Sequence, residues 1–156
     1  MAFGAPSVKG RALRYLAQRE HSRSELERKL ARVVEDAPEA PASEQIARAL
    51  DELSARGLLN EARVAESVLA SQGRRFGSRR LKQTLQAKGL DAALVAATLQ
   101  QARGTEYQRA RDVWQRKFGS APLDAAERAK QMRFLAARGF EGDVIRRVVQ
   151  GGTDDE

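Results

Sequence analysis

Apolar residues in this 156-residue chain recur three and four apart and almost nowhere alternate. That spacing is the period of a helix with one buried stripe; half-buried strands need period two. It predicts nine short helices and no strand. The first covers Lys9 to Arg19, with Leu13 and Leu16 inward. Ser22, with Glu25 three residues on, forms a capping box for a second that carries Leu26, Leu30, Val33 and Val34. A third, from about Ser43, buries Ile46, Leu50 and Leu53. Asn60 caps a fourth with Val64, Val68 and Leu69, a fifth from near Ser78 holds Leu81 and Leu85, and Asp91 caps a sixth with Leu94, Val95 and Leu99. Thr105 and Gln108 read as a further capping box, opening a seventh whose inner face is Tyr107, Ala110, Trp114 and Phe118. Asp124 and Glu127 open an eighth with Met132 and Leu135, and the ninth, from about Glu141, carries Val144, Ile145, Val148 and Val149.

One phrase ends a helix three times: Arg56-Gly57-Leu58, Lys88-Gly89-Leu90 and Arg138-Gly139-Phe140. A basic residue in the last turn and a glycine just past it are C-terminal signals, the cation easing the negative end of the helix dipole. Phe76-Gly77-Ser78 is echoed by Phe118-Gly119-Ser120, and Glu35 to Pro41 reads as an exposed acidic loop. The helices group in threes, over residues 9–57, 58–103 and 104–150, between an N-terminal tail at 1–8 and an acidic C-terminal tail at 151–156. A unit this small buries too little surface to fold alone. The expected fold is therefore all-α: an elongated, curved array of three tandem three-helix repeats, an architecture that serves binding more often than catalysis.

Composition narrows the class. Hydrophobic residues make up 42% but aromatics only 5%, so the core is mainly Leu, Val and Ala. A net charge of +7 favours a polyanionic partner, either nucleic acid or an acidic protein surface. With no cysteine there is no disulfide and no thiolate metal site. Met1 to Lys9 lacks the apolar run of a signal peptide, and no stretch approaches the roughly 20 apolar residues that span a bilayer, so a cytoplasmic protein without membrane attachment is expected.

The richest chemistry is cationic. Arg74, Arg75, Arg79, Arg80, Lys82 and Lys88 follow one another with no Asp or Glu between them. With Leu81 and Leu85 inward, Arg79, Lys82 and Gln86 share an outer flank, suited to phosphates or acidic side chains. A second cluster, Arg109, Arg111, Arg116 and Lys117, surrounds Trp114; the register puts that ring in the core and leaves Arg111 and Lys117 as exterior contacts. His21, the one histidine, has no ligand set around it and reads as a turn residue. Nothing matches a phosphate-binding glycine loop or a nucleophile elbow, so neither cofactor nor catalysis is expected.

Arg19-Glu20-His21-Ser22-Arg23-Ser24-Glu25-Leu26, Gly57-Leu58-Leu59-Asn60-Glu61-Ala62-Arg63, Phe76-Gly77-Ser78-Arg79-Arg80-Leu81 with Lys88-Gly89-Leu90, and Arg138-Gly139-Phe140 stand in an order that resembles the RecX regulatory proteins of bacteria, from about Arg11 to Val149. The resemblance implies three tandem three-helix repeats and binding to RecA recombinase, lodged in the helical groove of RecA–DNA filaments; a monomer is expected. It implies restraint of RecA: less ATP hydrolysis, strand exchange and co-protease activity. Val64 stands where many relatives have an aromatic and Asn60 where many have Asp; an apolar contact and an N-cap survive both changes. The rival reading is a helix-turn-helix DNA-binding transcriptional regulator, which would concentrate its cations on one recognition helix.

Overall fold

The computed structural model describes residues 6–151; the acidic run Asp154-Asp155-Glu156 and the first five residues of the N-terminal tail lie outside them. Nine helices are described: α1 (Val8–Gln18), α2 (Arg23–Ala31), α3 (Ala42–Ala55), α4 (Glu61–Gln72), α5 (Ser78–Ala87), α6 (Ala92–Arg103), α7 (Glu106–Lys117), α8 (Ala125–Ala137) and α9 (Gly142–Gln150). Among the described residues there is no strand, only an isolated bridge between Ala37 and Ala40.

The caps are where the side chains allow them. Ser22 and Glu25 close the reciprocal capping box of α2, and Asp91 and Asp124 accept from the first turns of α6 and α8. Asn60 accepts from the Arg63 amide at 3.1 Å. Thr105 corrects the sequence reading: its hydroxyl donates to the Ala102 carbonyl and accepts from Arg109, so it makes no side-chain cap and there is no box with Gln108. Another correction falls at the end of α2, which stops at Ala31, leaving Val33 in the following turn and exposed. The acidic loop has a local job there, since the Asp36 carboxylate accepts from the Ala42 amide at 2.7 Å and caps α3, whose own cap position is a proline.

The chain divides into two compact units. The first holds residues up to Val64 together with Lys88–Leu90, the second Ala65–Ala87 and the residues from Asp91 onward. In the first, Ala12, Leu26, Leu30, Ile46, Leu50, Leu53 and Leu59 form the core. In the second, Ala110, Val113, Trp114, Leu135, Phe140 and the four apolar residues of α9 do so, with Tyr107, Phe118, Met132 and Phe134 packed against them. Trp114 is buried as its register requires, and its indole N–H donates to Gln131 Oε1 at 2.8 Å.

Each unit contains the same joint. In the first, the N-terminus of α2 meets the Lys88-Gly89-Leu90 corner: the Ser22 hydroxyl donates to the Lys88 carbonyl at 2.6 Å, and the Arg23 amide is capped by Glu61 at 2.9 Å. In the second, the N-terminus of α5 meets Arg138-Gly139-Phe140. The Gly77 and Arg79 amides donate to the Arg138 and Gly139 carbonyls at 2.9 and 3.0 Å, and the Ser78 amide is capped by Glu106 at 2.7 Å. In the second unit the joint pairs orphan amides of a helix start with orphan carbonyls of a helix end, whereas in the first the Ser22 hydroxyl donates to the corner in place of those amides. It needs glycine: a Cβ on Gly77 would overlap the Phe140 backbone, and Gly89 and Gly139 have φ of +69° and +83°. The third copy of the phrase is used differently. Gly57 has the same left-handed geometry, φ +74°, but a Cβ there would meet nothing within 4 Å, and Leu58 is 43% exposed where Leu90 and Phe140 are buried.

Candidate functional site

α5 carries its apolar stripe on Leu81 and Leu85, both fully buried, so residues between them point to solvent. Arg79, Arg80 and Lys82 are exposed on it, and Arg74 and Arg75 are exposed in the turn just before. At the centre of this group stands Phe76, half-buried, with three guanidinium groups over its ring: Arg80 at 4.5 Å from the ring centre, Arg75 at 5.3 Å and Arg138 at 5.8 Å. Arg138 lies also over Phe134 at 5.1 Å, and Lys117 reaches the same ring at 5.4 Å. Arg116 donates to the Arg74 carbonyl at 3.3 Å. The joint between α5 and the Arg138-Gly139-Phe140 corner is therefore what brings two sequence-distant basic clusters into one face.

The remaining candidates part company. Lys88 belongs to the first unit, where its ammonium lies 2.9 Å from Glu25 and its side chain is only 20% exposed. Arg111 is partly buried on α7 and engaged in a contact of its own. Arg109 is an internal fastener: its guanidinium donates to the carbonyls of Gly73, Phe76 and Ala102 at 2.7–2.8 Å, closing the ends of α4 and α6. Arg138, which the sequence marked only as a helix-end cation, joins the face; the one signal for it was the phenylalanine on either side of the joint, Phe76 and Phe134.

Charge pairing separates the two units sharply. All seven salt bridges of the described residues fall in the first: Lys9–Glu52, Arg19–Glu25, Arg23–Glu27, Arg23–Asp51, Arg48–Glu44, Arg63–Glu20 and Lys88–Glu25. The first unit has 12 basic and 10 acidic residues, the second 16 and 11. Exposed pairs add little stability, but they cancel field, whereas unpaired cations on one face sum into a positive potential that draws anions. The face around Phe76 is of the second kind.

His21 is fully buried. Its Nδ1 lies 2.9 Å from the Arg19 carbonyl and its Nε2 2.8 Å from the Lys29 ammonium, the pattern of a neutral ring donating at one nitrogen and accepting at the other. Burial lowers its pKa below 6.5, reinforced by the charges of Arg19 and Lys29. It is a structural residue of the turn before α2. No group of three or more potential metal-ligating side chains converges among the described residues, and no helix there is long and apolar enough to cross a membrane.

Comparison with known proteins fits this architecture. Three family models match in order: "RecX, first three-helix domain" over residues 9–35, the second over 60–99 and the third over 105–149. A regulatory protein RecX of Leptothrix cholodnii is 49% identical over 152 residues, covering 96% of this chain and 93% of the relative. Its counterpart in Chromobacterium violaceum is 42% identical over 156 residues, 100% of this chain and 97% of that one. The crystal structure of RecX from Lactobacillus salivarius superposes with a TM-score of 0.75 over 92% of this chain and 93% of that one, at 20% identity, a likeness of fold.

Proposed function

Because the chain belongs to the RecX family of regulatory proteins, we propose that it binds RecA and RecA–DNA filaments and restrains ATP hydrolysis, strand exchange and co-protease activity, acting as a binding protein without chemistry of its own. The observation that carries the reading to a surface is the charge division: six of the first unit's twelve cations sit in salt bridges with its own acids, while Arg74, Arg75, Arg79, Arg80 and Lys82, with Arg116, Lys117 and Arg138, form a cationic face on the second. A recombinase filament offers both anions this face suits, phosphates and acidic side chains. Restraint requires tighter binding to a filament state that hydrolyses or exchanges poorly, or occupation of the groove where exchange occurs, since a ligand moves an equilibrium only by its differential affinity.

RecA-dependent ATP hydrolysis on single-stranded DNA, with and without the protein, tests the reading. The rate falls as protein is added, and less so as salt rises. An unchanged rate at saturating protein refutes it. The transcriptional-regulator reading loses ground on the spread of the cations over α5, α7 and the α8–α9 corner, rather than on one recognition helix. One duplex sequence bound far above random DNA would restore it.

A further inference from the structure

Resting on that reading of the second unit's face, we infer that Arg75, Arg80 and Arg138, gathered on Phe76 and continued by Lys117 on Phe134, form a clamp for a nucleic-acid phosphodiester backbone, with Phe76 as its positioning residue. Three guanidinium groups share one ring and repel one another, and none of the salt bridges in the described residues neutralises them. The ring's negative face offsets part of that repulsion and fixes where the cations stand. An anion seated between them removes the rest.

The backbone beneath is fastened before any ligand arrives. Arg109 holds the Phe76 carbonyl at 2.7 Å, the Gly77 and Arg79 amides are bound to Arg138 and Gly139, and Glu106 holds the Ser78 amide. A clamp built on fixed backbone loses little freedom on binding.

The arrangement favours phosphodiester over a lone carboxylate. Arg138 belongs to both rings, so the cations run in a row: Arg75 and Arg80 on Phe76, Arg138 between, Lys117 beyond on Phe134. A carboxylate fills one guanidinium fork, whereas a strand with one charge about every 3.4 Å of its length meets a row. The guanidinium fork suits carboxylate and phosphate oxygens alike, so it is the row of cations that makes the distinction.

The test is fluorescence anisotropy of the full chain with labelled oligothymidylate over a range of KCl, without RecA. Arg80→Gln and Arg138→Gln are each expected to weaken binding about tenfold and to flatten the plot of log affinity against log salt by about 0.7. Phe76→Leu keeps the apolar contact but lacks the ring, and should weaken binding about three- to tenfold; Phe76→Tyr should restore it. Polyglutamate should compete poorly. The clamp is overturned if Arg80→Gln and Arg138→Gln keep wild-type affinity and slope, if Phe76→Leu binds as tightly as Phe76→Tyr, or if polyglutamate displaces the oligonucleotide as well as unlabelled oligothymidylate does. Unchanged urea midpoints verify folding; were Phe76→Leu unfolded, the two arginine variants decide alone. The RecA reading fails separately: wild-type protein would then bind oligothymidylate through these residues yet leave RecA hydrolysis untouched. Variants that still bind oligothymidylate but no longer restrain RecA would sink the clamp and keep that reading.

Discussion

Replacing Glu25 by Gln probes the joint on which the first unit is built. Glu25 stands in the first turn of α2 with its side chain 10% exposed. Burial pushes its carboxyl up, but hydrogen bonds from Arg19 at 2.8 Å, Lys88 at 2.9 Å and the Ser22 amide at 3.2 Å outweigh that and lower its pKa from 4.5 to about 2. A depression of that size corresponds to about 3 kcal/mol at most, since each pH unit is about 1.4 kcal/mol. Arg19 is half exposed and screened by water, so about 2 kcal/mol is the better figure. The sign follows from linkage. The unfolded carboxyl takes its proton near pH 4.5 and the folded one only near 2, so the stabilisation is complete well above pH 4.5 and disappears as pH falls through about 2. Urea unfolding followed by circular dichroism should then show Glu25→Gln losing about 2 kcal/mol at pH 7, about 1 M in midpoint for a slope near 2 kcal/mol/M. The gap between variant and wild type should narrow below pH 4.5 and close near pH 2. A gap of the same size at pH 6 and pH 2.5, or none at pH 6, refutes the argument.

Gly77→Ala and Gly57→Ala make a matched pair. The first forces a methyl into the Phe140 backbone and should cost about 3 kcal/mol, the second meets open space and should cost only the left-handed conformation, about 1 kcal/mol, both read from urea midpoints. His21 should titrate below 6.5 by NMR; the unfolded ring protonates first, so this residue subtracts stability as pH drops below 6.5, and a midpoint above 6.5 contradicts the buried neutral ring. Gln131→Leu strands the Trp114 indole N–H and frees the Ser120 carbonyl, with an expected loss of about 1–3 kcal/mol; a thermal melt matching wild type would mean the bond contributes nothing.

Much of this was legible in the chain. Helix starts at Ser22, Asn60, Asp91 and Asp124 and the buried stripes of Leu26 and Leu30, Leu81 and Leu85, and Val144 to Val149 follow from side-chain chemistry and period alone. What period cannot carry is the identity of a partner far along the chain. The same basic-Gly-apolar phrase makes a joint at Gly89 and Gly139 and an open corner at Gly57, and nothing local distinguishes them. Likewise Lys88 reads as one more cation of a run until Glu25 is seen beside it, and Arg138 as a helix-end charge until Phe76 is. Thr105 fails as a cap because its hydroxyl finds the Ala102 carbonyl, a competition that spacing does not record.

The central claim is that position, rather than net charge, makes the second unit's cations the contact surface. Two variants of equal charge change separate these: Arg75, Arg79, Arg80 and Lys82 all to Glu on the second unit, and Arg14, Arg32, Arg48 and Arg56 all to Glu on the first. RecA-dependent ATP hydrolysis on single-stranded DNA is then followed with each folded variant. The second-unit variant should lose restraint and its salt dependence while the first-unit variant keeps most of both. Equal loss in the two, or full restraint by the second-unit variant, would contradict the claim.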